Sequence, residues 1–298
     1  MEDFCIRILL ESPVATPLYS GTLFGQFCWA LLMLEGESSL TELLNNFEQK
    51  PLVFSDAMPA GFVPVPLLAR SPVHVDKDLA RRSWLSQEAF LRTRDRLHLD
   101  ILQQELGKEK DPESALREHR LAHNQINRLT GRTPEEGGLF FVDEWWPRES
   151  GTELAIYVRG EIDSQRLSAT FTAMGEHGFG KDATTGRGRF RVLDCKPRPE
   201  LLGVQGNRWV SWSRGVRDAR MSNPRYRLYT HYGKLGGSWA TSASGPFKYP
   251  ITLWKPGATF AAIDGNPVFG RLLRNVHPKL PQVIHNACHF AVPYQEVQ

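Results

Sequence analysis

The chain has 298 residues, of which 41% are apolar and 23% charged, with a net charge of +3. That length fits one large or two modest domains, and that composition excludes extensive disorder. The opening MEDFCIRILLE lacks a basic stretch before an apolar one, and the longest apolar run, Phe27 to Leu34, is too short for a membrane span. Neither a signal peptide nor membrane attachment is expected. Cys5, Cys28, Cys195 and Cys288 are scattered without CxxC spacing, so a reduced, cytoplasmic protein without metal or cofactor is expected.

Charge is unevenly placed. From His177 to Lys234 there are thirteen Lys/Arg against four Asp/Glu, a surplus of nine, which leaves −6 on the remainder. Phe179, Phe190, Trp209, Trp212, Tyr226, Tyr229 and Tyr232 are interleaved with these charges. Cations that track phosphates and rings that stack on bases suit single-stranded nucleic acid. The same rings also fit the buried positions of alternating strands.

In chain order, Phe4, Ile6, Ile8 and Leu10 alternate as in a strand. Ser20 can cap a helix whose apolar face runs Leu23, Phe24, Phe27, Cys28, Leu31 and Leu32, with Gly36 to end it. A short second helix, SLTELLNNF, follows, and the proline-rich PLVFSDAMPAGFVPVPLL reads as extended segments. Residues 76–118 carry nine basic and ten acidic side chains and predict an inserted, partly exposed helical element around RRSWLSQEAFLRTRDRLHLDILQQEL. GLFFVDEWW and TELAIYVRG, joined by PRESG, predict a β-hairpin. Asp163 or Ser164 can cap a helix burying Leu167, Phe171 and Met174, and RFRVLDC is a further strand. After removal of an insertion at about 36–137, the order is βαββαβ, the ferredoxin-like (RRM-like) order. The last hundred residues hold strand-like text, a helical stretch near FGRLLRNV and a terminal strand NACHFAVPY. The expected class is α+β with tandem ferredoxin-like domains, 1–200 and a degenerate 201–298, and a helical insertion in the first.

The most informative stretch is the loop at 178–190, GFGKDATTGRGRF. Gly178, Gly180, Gly186 and Gly188 free its backbone, Lys181, Arg187 and Arg189 supply charge, and Thr184 and Thr185 supply hydroxyls. Exposed amides in such a loop form an anion-binding concavity. It is neither a Walker A loop, because Arg187 stands where the lysine is needed, nor a dinucleotide fingerprint, because it follows a helix and precedes a strand. On this reading Gly186→Ala and Gly188→Ala should leave the thermal midpoint nearly unchanged.

A GxGxxxxxGxG loop between the second helix and last strand of βαββαβ resembles the RAMP superfamily of CRISPR proteins. LYSGTLFGQFCWAL is similar to the first-helix signature of the type III subunits that hold the crRNA 5′ handle, although Gly21 replaces a commonly acidic residue. PLVFSDAMPAGFVPVP resembles the extended segment of the type III-A (Csm-type) member, and INRLTGRTPEEGGLF the stretch before its hairpin. The resemblance implies a non-catalytic crRNA-binding subunit. Its partners would be the crRNA, the large Palm-domain signalling subunit and the neighbouring RAMP backbone subunit. Implied RNA contacts are the loop residues already named, His177 beside them, and Ser20, Thr22, Arg128 and Arg132 on the matching stretches.

Catalytic alternatives need other residues. A crRNA-processing RAMP endoribonuclease uses a histidine, usually early, and the first here is His74. His177 is the remaining acid/base candidate. Asp56 would serve a target-RNA-cleaving backbone subunit, but a turn-capping role beside Ser55 suits it better. His119/His123 and His285/His289 have i, i+4 spacing on possible helices but too few local ligands for a metal. The equivalent subunit of a type III-B (Cmr-type) complex is the remaining alternative.

Overall fold

The structure is a computed structural model that describes residues 1–69, 78–108, 115–236, 239 and 243–297. His74 and residues 76–77 and 109–114 of the charged stretch lie outside the described residues. The first elements are β1 (Glu2–Leu10), α1 (Ser20–Glu35) and α2 (Glu37–Asn45). Three short strands occupy the proline-rich text: β2 (Val53–Phe54), β3 (Met58–Pro59) and β4 (Phe62–Pro64). Then come β5 (Trp84–Ser86), α3 (Gln87–Thr93), α4 (Leu99–Lys108), β6 (Leu116–Asn124) and β7 (Leu139–Pro147). β8 (Glu153–Gly160), α5 (Ser164–His177) and β9 (Phe190–Pro197) complete this part.

β1 is the centre of an antiparallel sheet ordered β2-β8-β1-β9, with β3 also on β8. Its Phe4, Ile6 and Ile8 are buried, as their alternation predicts. α1 and α5 pack against each other, joining Phe27, Phe54 and Phe171 in one ring cluster. Gly36 closes α1 at φ 87°. Asp163 caps α5 by accepting from the amides of Gln165 (2.8 Å) and Arg166 (3.0 Å).

The sequence expectations fail in three places. β7 does not form its hairpin with β8; it pairs with β6 in full register, from Leu116 opposite Pro147 to Asn124 opposite Leu139. β8 is buried along nearly its whole length, which suits an interior strand between β1 and β2, whereas β7 leaves Leu139, Phe140 and Phe141 exposed. Burial thus overrode the local turn signal of PRESG. The 81–106 stretch is broken into β5, α3 and α4, and it packs Phe90, Leu97, Leu102 and Leu106 into the core. The helix expected near 269–276 is absent. Gly270 at φ 86° and Asn275 at φ 55° take the backbone out of helical geometry, and two short strands stand there instead.

Past residue 202, the described residues contain no α-helix. Their strands are β10 (Arg208–Ser211), β11 (Met221–Arg225), β12 (Leu228–His231), β13 (Ile251–Trp254) and β14 (Thr259–Ala262). β15 (Val268–Phe269), β16 (Leu272–Leu273), β17 (His285–Asn286) and β18 (His289–Tyr294) follow. A second antiparallel sheet is ordered β11-β14-β10-β18-β15, while β12 pairs with β13 and β16 with β17. Among the described residues no helix is long and apolar enough to cross a membrane.

The largest apolar cluster runs through both sheets, and Tyr157, Trp212 and Phe290 meet at its centre. Beside it lies a fully buried cation. Arg159 of β8 makes a bidentate pair with Asp3 (2.7 and 2.8 Å) and donates to the carbonyls of Ala291 (2.7 Å) and Pro267 (2.9 Å). Its guanidinium also lies 4.6 Å from the Phe290 ring centroid.

His289 of β18 is equally buried, between Ser211 Oγ (2.7 Å) and the Val216 carbonyl (3.1 Å). Burial pushes its pKa down to about 4, and burial with the charges of Lys248 and Arg214 does the same for His231. The folded state therefore binds fewer protons than the unfolded chain at mildly acid pH. Stability from both groups is fully present above about pH 6.5 and is lost as pH falls towards 4. Urea unfolding midpoints should fall steadily over that window, and His289→Gln should flatten the slope.

Candidate RNA interface

Gly178 ends α5 at φ 87° and delivers Phe179 into the core. The Phe179 amide donates to the Gly188 carbonyl at 2.9 Å and the Gly188 amide to the Pro13 carbonyl at 2.8 Å, closing the loop at its neck. Within it, Asp182 and Gly186 take left-handed conformations around a turn at Ala183–Thr185. The amides expected to form an outward concavity are largely spent on the loop and on the neighbouring Ser12 and Thr16. The amides of Lys181, Thr185, Gly186, Arg187 and Arg189 all donate to protein oxygens, so those of Gly180, Asp182, Ala183 and Thr184 remain.

The three cations also divide. Arg187 Nε holds Glu144 Oε1 at 2.6 Å, and Glu144 is 1% exposed, so this arginine ties the loop to β7. Arg189 is exposed but donates to the Glu176 carbonyl. Lys181 is exposed, 3.6 Å from Asp182. His177 is exposed with Nδ1 2.8 Å from the Ala173 carbonyl, and Thr185 Oγ1 donates to the Asp182 carbonyl at 2.8 Å. Arg187→Ala should therefore cost stability by stranding a buried carboxylate, with little change in the salt dependence of RNA binding. Lys181→Ala should do the reverse, reducing the log–log salt slope by about 0.7, the value for one single-strand contact. Urea melts and binding titrations at several salt concentrations check both.

The remaining predicted residues lie apart. The Ser20 hydroxyl is buried and donates to the Arg214 carbonyl at 3.1 Å, and that of Thr22 turns back to the Pro17 and Tyr19 carbonyls. Ser20 does not cap α1. Asp56 does so instead, accepting from the Ser20 amide at 2.9 Å. Arg128 and Arg132 are exposed in the connection between β6 and β7. Glu144 docks at the loop, and the five strand residues from there to Leu139 span about 17 Å at roughly 3.4 Å per residue, so the two arginines stand well away from it. His119 and His123 lie on strand β6 rather than on a helix, and among the described residues no three His, Cys, Asp or Glu gather as a metal site.

The sequence reading missed a cleft of about 1070 Å³, lined by Tyr19, Arg82, Arg214, Tyr226, Arg227 and Lys255 over an apolar floor. Arg214 is its fixed point. Asp56 pairs with its guanidinium, which lies 3.3 Å from the Tyr19 ring centroid and 4.8 Å from that of Tyr229. Tyr226 is exposed and stacks on Trp254 at 4.4 Å and 6°. Arg227 and Lys255 are exposed at the rim without side-chain partners among the described residues. Trp212 Nε1, Arg214 Nε and Gln103 Nε2, all on lining residues, are buried donors with no acceptor among the described residues. Rings, free cations and unmet donors match an anionic ligand with stackable faces. Of the interleaved aromatics, Phe179, Phe190, Trp209 and Trp212 are core residues, while Tyr226 and Tyr232 are exposed.

Compared by sequence, the chain matches no family model and no curated protein. Its structure is similar to a chain of the Csm1–Csm4 cassette in complex with AMPPNP, with TM-score 0.62, 15% identity and 100% of both chains covered. It is also similar to a chain of the Csm3–Csm4 subcomplex of the type III-A interference complex (TM-score 0.59, 12% identity, 99% of both). A chain of the type III-B Cmr-beta complex matches at TM-score 0.51 and 11% identity, over 87% of this chain and 86% of that one. The fold is therefore one shared with chains of type III CRISPR complexes. The end-to-end correspondences are with chains of assemblies that contain Csm4.

Proposed function

We propose that this chain is a non-catalytic, crRNA-binding subunit of a type III CRISPR effector complex, holding the 5′ handle of the guide. The observation that carries the reading is the correspondence with Csm4-type chains over the full length of both. Further support comes from the sheet order β2-β8-β1-β9 with α1 and α5. With β2 as the second strand and the residues between β2 and β8 set aside, this order is compatible with the ferredoxin-like arrangement. The proposed partners are the large Palm-domain subunit and a neighbouring RAMP subunit, matching the cassettes in which similar chains occur. The type III-B equivalent is disfavoured by its shorter and weaker superposition.

RNA would follow the exposed loop face at Lys181, Thr184 and Arg189 and the ring-lined cleft at Tyr226, Arg227 and Lys255. Coexpression with a repeat–spacer transcript and the partner subunits tests the role: guide RNA of one length should copurify. Purified protein should bind labelled repeat RNA in the presence of divalent metal without cutting it. Specific cleavage lost on His177→Ala or Asp56→Asn would replace the reading with an endoribonuclease.

A further inference from the structure

Strand β17 packs on α1, and just before α1 the Tyr19 ring meets Tyr229 of β12 edge-on at 5.7 Å. Behind Tyr229, His231 and His285 pack ring against ring at 5.0 Å and are only 9% and 4% exposed. His285 sits directly over Gly21: a Cβ there would stand 2.4 Å from its Cε1 and 2.6 Å from its Nε2. The Lys248 stem and His231 Nε2 flank Gly233, at 3.0 and 3.2 Å from where its Cβ would be. Lys248 Nζ donates to the Ile284 carbonyl at 2.9 Å.

Neither imidazole has a hydrogen-bond partner among the described residues. The charges that act on His231 are Lys248 and Arg214, and those on His285 are Lys248 and His231, so every one of them is basic. Asp56 is already committed to Arg214 and to the Ser20 amide at the start of α1. Packing two unpartnered imidazoles beside an ammonium, with no acid among the described groups that act on them, costs free energy through desolvation. An oxyanion offsets that cost. It would accept from all three side chains and sit beside the start of α1, whose dipole favours negative charge. A group that takes donors from several directions needs three or more acceptor oxygens, which fits phosphate better than carboxylate.

We propose that His231, His285 and Lys248, beside the first turn of α1, form a phosphate-binding site. The phosphate belongs either to an RNA backbone or to a free phosphate or nucleotide. The site stands independently of the RNA-holding role.

The test uses RNA-free full-length protein and inorganic phosphate as the probe, with the histidine imidazole resonances followed by NMR. His231 and His285 should shift together and saturably, while His289, buried and bonded to Ser211 and Val216, stays fixed as the internal control. Lys248→Gln should weaken phosphate binding about tenfold or more, the loss of one charge-assisted hydrogen bond. Where Lys248→Gln also reduces the salt slope for single-stranded RNA by about 0.7, the phosphate is a backbone phosphate. Where the RNA slope is unchanged but inorganic phosphate still saturates the wild type, the ligand is a free phosphate or nucleotide. Absence of His231 and His285 shifts in the wild-type protein, or equal shifts at His289, overturns the proposal without bearing on the RNA-holding role.

Discussion

Replacing Arg159 with Met is expected to remove about 3–5 kcal/mol of unfolding free energy, because it leaves a buried carboxylate uncompensated. Asp3 would lose both arms of its bidentate pair, and the Ala291 and Pro267 carbonyls would lose their donor. Asp3→Asn is expected to cost less, because the amide still accepts one hydrogen bond. The double variant Asp3→Leu/Arg159→Met removes both charges and should recover much of the loss, as replaced buried ion pairs often do. Urea titration of the wild type, Asp3→Leu, Arg159→Met and their double variant measures the coupling. Additive losses would mean that the two residues act separately.

Gly188→Ala is expected to lose about 2–4 kcal/mol, combining left-handed strain with overpacking. Gly186→Ala should cost only about 1 kcal/mol, since only the backbone conformation is strained. The two glycines look equivalent in the sequence, which predicts both substitutions to be thermally silent. In the structure Gly188 sits at φ 72° with its missing Cβ 2.2 Å from the Phe179 carbonyl, whereas Gly186 at φ 89° faces open space. Melting curves separate them directly. Gly186→Ala is thus the variant that probes the loop's part in RNA loading without unfolding its support.

Local signals were legible in the sequence. The alternation in β1, the apolar face of α1, the Gly36 stop and the Asp163 cap depend on residues within one or two turns of each other, and all four appear as read. Pairing was not legible. β7 chose β6 over β8 because β8 was claimed by β1 and β2 from far away in the chain. The charge pattern likewise gave no hint that Arg187 is held by Glu144, forty-three positions earlier. The cleft draws Tyr19, Asp56, Arg214, Tyr226 and Lys255 from separate segments, so no single motif carries it. Interleaved aromatics in a basic block were an ambiguous signal, since rings on the inward face of a strand and rings offered to a ligand share the same spacing.

The central position of β1 has a consequence for synthesis. Its two edges are covered by β8 and β9, whose residues begin at Glu153 and Phe190. At roughly 5–20 residues per second of translation, β1 leaves the ribosome about 7–30 s before either partner exists. During that interval a strongly apolar strand has both edges unpaired, which is the condition under which nascent chains aggregate or recruit chaperones. Slower elongation lengthens the exposure of β1, whereas a chaperone that shields extended apolar segments shortens it. The yield of folded protein should therefore depend more on chaperone supply during synthesis than on the stability of the finished fold.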